Sequence, residues 1–150
     1  MSDMADVEPV GSIWNWCVAG RIEPGPVRAA LSAVLGHPVA ALGEDTADAG
    51  VLCDVFPVGG DFPTVVDVYL PPAVDEVDCA SAVAVRLSAA VLLPDDTLNP
   101  TRYVLAEPDG TVRAVHADEV ETDDGIERRH VRPCTGADPA CAIAPERKAA

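Results

Sequence analysis

The side chains able to hold a soft metal or to act as nucleophile and base are Cys17, Cys53, Cys79, Cys134 and Cys141, with His37, His116 and His130. Metal sites that can be read from sequence take ligands from close pairs such as Cys-x-x-Cys or His-Glu-x-x-His, whose spacing pre-forms half of the coordination shell. No such pair occurs, and Cys134 and Cys141 stand seven apart in a stretch rich in Pro, Gly and Ala, so no metal is expected. A catalytic thiol must be exposed beside an imidazole, whereas Cys17, Cys53 and Cys79 fall in stretches with strand or helix periodicity that favour the core. His37 belongs to a Gly-His-Pro turn, His116 ends a predicted strand, and His130 stands among arginines that disfavour its protonated form. Carboxylate pairs are abundant, but Asp95-Asp96 and Asp123-Asp124 read as solvated loop acids, because an acid–base pair needs two contrasting environments. There is no phosphate-cradling glycine loop and no nucleophile-elbow serine; Gly59-Gly60 reads as a turn. Neither enzymatic activity nor a cofactor is expected.

What remains is charge. The chain carries 25 acidic and 10 basic residues, a formal charge of -15, which opposes binding to nucleic acid or to an anionic membrane. Residues 1–116 hold 17 of the acids and 5 of the bases, so the body rather than the C-terminal stretch is the polyanion. Asp3, Asp6 and Glu8, with no base before Pro9, are the reverse of a secretory leader. The longest uncharged run, Ala29 to Gly43, is broken by Gly-His-Pro and is shorter than the ~20 apolar residues of a spanning helix. An odd number of irregularly spaced cysteines argues against a disulfide framework, and the expected location is cytoplasmic.

The elements that position these groups follow from hydrophobic periodicity. Ile13 to Val18 alternates as a strand, and Val27, Ala30, Leu31, Val34 and Leu35 form a helical stripe closed by Gly36. Residues 50–70 give two Val-rich strands around Pro57-Val58-Gly59-Gly60-Asp61. Asp75, Glu76 and Asp78 then open a helix whose stripe runs through Val91, and residues 93–100 read as a loop. Tyr103–Ala106 and Thr111–His116 flank the turn Glu107-Pro108-Asp109-Gly110. An acidic run from Asp118 to Asp124 and a basic one from Arg128 to Arg132 read as solvated faces or a segment folding back on itself, with a short strand near Ile126 to Val131. The predicted order matches the β-α-β-β-α-β of a ferredoxin-like two-layer α+β sandwich, with an extra C-terminal hairpin strand. Residues 1–132 are expected to form one domain and 133–150 a poorly ordered tail.

In that sandwich, period-two geometry sends Asp67 and Tyr69 to the sheet face away from the helices, joined from the neighbouring strand by Leu52, Asp54 and Phe56. Trp14 and Trp16 share a side of the first strand and extend this patch, unless the core takes them for want of other large residues. Aromatic anchors mixed with carboxylates suit a binding module for a basic protein, such as an immunity protein or antitoxin that occludes a toxin's nuclease-like active site. The alternatives are a small-ligand-binding or regulatory sandwich domain and a homodimer joined through its open face.

Overall fold

The computed structural model describes residues 13–41, 50–95, 101–136 and 141. Eight strands and two helices follow in the order β1 (Ile13–Val18), α1 (Pro24–Leu35), β2 (Val39–Ala40), β3 (Val51–Pro57), β4 (Thr64–Tyr69), α2 (Glu76–Leu87), β5 (Val91–Pro94), β6 (Arg102–Ala106), β7 (Val112–Thr122) and β8 (Gly125–Pro133). All strands belong to one mixed sheet ordered β2-β3-β4-β1-β5-β6-β7-β8, antiparallel except for the β2–β3 pair. The ferredoxin-like sandwich is therefore not what forms: the eight-stranded sheet outgrows that layout, and two helices are its only helical cover among the described residues.

Three local causes account for the difference. The helical stripe predicted through Val91 stops at Leu87, because Ser88 turns left-handed with a φ of 54° and its N–H bonds the Val85 carbonyl. Val91, Leu92 and Leu93 then form β5 and are buried on both faces, so they show none of the alternation that marks a half-exposed strand. Second, β7 does not end at His116. An irregularity between His116 and Asp118 shifts its register, and the acidic run continues as strand, placing Asp118 opposite Arg129 and Glu119 opposite Arg128. The acidic and basic runs are the two arms of one hairpin. Third, Val39–Ala40 adds a short parallel edge strand beside β3.

Both helices lie on one face of the sheet. Val27, Ala30 and Leu31 of α1 and Cys79, Ala80, Val83 and Ala84 of α2 meet Trp14, Trp16, Val18, Cys53, Val66 and Val68 in the main core. The α2 N-terminus is held by Asp75, whose carboxylate accepts the Asp78 N–H at 2.8 Å, and Glu76 and Asp78 complement the helix dipole.

The opposite face carries a second core. Cys17, Val65, Leu92, Tyr103, Leu105, Val115 and Ala117 pack there beneath Val58 and Phe62 of the β3–β4 connection. That connection reaches the far edge strand: Gly60 bridges Arg128, the Asp61 N–H donates to the Arg128 carbonyl at 3.0 Å, and the Asp61 carboxylate accepts the His130 N–H at 3.0 Å. Gly60 has a φ of +86°, and a Cβ there would meet the Arg128 carbonyl oxygen at 3.0 Å, so this closure requires glycine. Of the predicted tail, Pro133 ends β8 and the Cys134 N–H bonds the Ala114 carbonyl; residues 137–140 and 142–150 lie outside the described residues.

Candidate functional site

The period-two arrangement of β3 and β4 places Asp54, Phe56, Asp67 and Tyr69 on the sheet face away from the helices, each half-buried. Asp54 stands directly across from Asp67, and Asn15 of β1 lies opposite Asp67 on the other side. Asn15 donates its amide N–H to the Asp67 carboxylate. Leu52 and the exposed Ile13 complete an apolar margin. Burial, then the charges of Asp67 and Asp54, push the Tyr69 phenol above its ordinary pKa.

Two of the expected contact residues are elsewhere. Trp14 and Trp16 keep only 7% and 1% of their surface exposed and face the helices, on the other side of the sheet from Asp54 and Asp67. Their rings stack at 5.5 Å, and the Trp16 indole N–H donates to the Glu76 carboxylate at 3.0 Å, which satisfies it inside the core. The placement of both tryptophans in the open-face patch is thus corrected. A core built mostly from Ala, Val and Leu needs their volume.

Charge is distributed unevenly between the two halves of the sheet. Around β6–β8 several acids have basic partners: Glu107 with Arg113, Glu119 with Arg128, Glu127 with Arg129, and Asp118 with His130 and Arg132. Two other acids serve the backbone: Asp75 caps α2, and Asp109 accepts the Thr111 N–H, a bond that lowers the Asp109 pKa. Among the described residues no ion pair reaches Asp54 or Asp67, although they face each other.

A third grouping escaped the sequence patterns. His116 is fully buried on β7, its Nε2 lies 3.1 Å from Cys141 Sγ, and the Cys134 and Cys141 sulfurs are 3.8 Å apart. Thr101 Oγ1 lies 3.1 Å from the other ring nitrogen. The spacing of Cys134 and Cys141 offered no signal, because the third ligand comes from a strand paired with the segment that leads to Cys134. The remaining thiols are inert by environment: burial pushes Cys17 up to about 11, Cys53 to about 12 and Cys79 to about 11.

The described clefts are small, about 250, 280 and 330 Å³, and the first is lined by Val34, Leu35, Val74, Asp75, Asp78 and Cys79. No helix among the described residues is long and apolar enough to cross a membrane. Comparison with protein-family models, curated proteins and solved structures finds no match to this chain.

Proposed function

We propose that this chain is a non-enzymatic binding module that docks a basic protein on the face formed by β3, β4 and β1. One observation carries the reading: Asp54 and Asp67 are directly opposed in the β3–β4 ladder with no ion pair among the described residues. Like charges in that position destabilise a sheet. The bond from Asn15 to Asp67 offsets part of that cost, but no described base neutralises either acid, whereas several other described acids cap a helix, close a turn or pair with a base. A guanidinium fork bridging the two carboxylates would convert the repulsion into two charge-assisted hydrogen bonds. Leu52, Phe56 and Tyr69 supply apolar area beside it, and the net charge of -15 speeds encounter with a cationic partner. In its finer form the reading is an immunity protein or antitoxin, whose carboxylates take the place of substrate phosphates in a toxin's active site.

The test is differential capture. Wild-type protein and the Asp54→Lys/Asp67→Lys variant, shown by circular dichroism to be equally folded, are presented to the same source extract. A basic protein retained only by the wild type, whose association slows steeply with salt, supports the reading. Equal retention by both proteins overturns it.

A further inference from the structure

We propose that His116, Cys134 and Cys141 form a zinc site, independent of the docking face. The three donor atoms lie within 4.8 Å of one another. With Zn–S bonds of about 2.3 Å, two sulfurs on a tetrahedral ion are about 3.8 Å apart. Cys134 and Cys141 stand at 3.8 Å. The 3.1 Å from His116 Nε2 to Cys141 Sγ is shorter than the corresponding N···S edge of about 3.6 Å, and all three donors lie within 4.8 Å, so a metal needs the two thiols to adjust around the imidazole.

The surroundings favour a cation of this softness. Two thiolates and a neutral imidazole around Zn²⁺ sum to zero charge, which suits a ligand as deeply buried as His116. Thr101 Oγ1, 3.1 Å from His116 Nδ1, is placed to accept a hydrogen bond from Nδ1–H in the metal-bound tautomer, which leaves the Nε2 lone pair for the ion. The Cys134 N–H to Ala114 carbonyl bond at 3.1 Å anchors the backbone of the second ligand to β7, the strand that carries His116. On binding, two S–H bonds are exchanged for two Zn–S bonds and two protons pass to solvent. The fourth corner is left to water. The ion ties residue 141 to the middle of β7.

Cobalt provides the test. Protein freed of metal with a chelator, under a phosphine reductant, is titrated with Co²⁺. The expected result is one equivalent bound, with the intense visible bands of a four-coordinate ion and a thiolate charge-transfer band in the near ultraviolet, both bleached by one equivalent of Zn²⁺. Cys141→Ala and Cys134→Ala should each lose roughly half of the charge-transfer intensity, and Thr101→Val should weaken binding about 10–100-fold. If these variants fold poorly, X-ray absorption of the zinc-loaded wild type decides, with two sulfurs near 2.3 Å and one nitrogen near 2.0 Å expected around the metal. Three results would each overturn the site: no four-coordinate cobalt spectrum, a coordination shell of oxygen and nitrogen only, or a Cys134–Cys141 disulfide that resists the reductant and excludes the metal.

Discussion

Replacing Asp54 by Asn should make the protein more stable. The side chains of directly opposed antiparallel residues leave the backbone ~5 Å apart, and flexible carboxylates there settle about 6–8 Å from each other. At an effective dielectric of about 40–80, between the ~20 of pairs near a protein surface and the ~80 of water, the repulsion is about 0.5–1.4 kcal/mol. Asparagine keeps the shape and removes the charge, while Asp67 retains its bond from Asn15. The expected gain is about 0.5–1 kcal/mol, equivalent to a rise in Tm of about 1–4 °C for a chain of this size. Urea unfolding of both proteins at low salt measures it as a shift in midpoint with an unchanged slope. In about 1 M salt the screening length falls to about 3 Å and the difference should nearly vanish. A variant less stable than the wild type, or a difference indifferent to salt, would refute the claim that these acids oppose the fold.

Other outcomes follow from the same structure. Trp16→Ala should cost about 3–5 kcal/mol, because it empties the main core and strips Glu76 of its indole donor, while Trp14→Phe should leave binding of a basic partner unchanged. Gly60→Ala should lower stability by at least ~1 kcal/mol in urea unfolding, since a Cβ at a φ of +86° meets the Arg128 carbonyl. Raised thiol pKa values mean that the folded state holds protons the unfolded state has already released. Stability should therefore be intact below pH 9 and decline between about 9 and 11, where burial keeps Cys17 protonated, at up to about 1.4 kcal/mol per pH unit for each such thiol, measured by chemical denaturation across that window.

Much of the fold was legible because one-sided burial leaves a period in the sequence. Strand β1, helix α1, the β3–β4 hairpin and the turn at residues 107–110 all carry such a period or a turn signature. Strand β5 hid for the opposite reason: buried on both faces, Val91-Leu92-Leu93 has no period and looks like the end of the preceding helix. The long β7–β8 hairpin was masked by charge, since acids and bases that neutralise one another across a ladder read as exposed runs along the chain. Burial of Trp14 and Trp16 was open in principle, because alternation shows that two residues share a side but not which side faces the helices. The meeting of His116 with Cys134 and Cys141 had no local signature at all. It is created by pairing of β7 with the end of β8 that leads to Cys134, and by the approach of residue 141 to His116.

The docking face is tested most directly by mapping amide chemical-shift changes in isotope-labelled protein as a small arginine-rich basic protein is titrated in. The perturbations are expected to gather on Ile13–Cys17, Leu52–Phe56 and Val65–Tyr69, and to disappear in the Asp54→Lys/Asp67→Lys variant. Changes centred instead on the acids of α2 or the β7–β8 hairpin, or spread evenly over the surface, would contradict it.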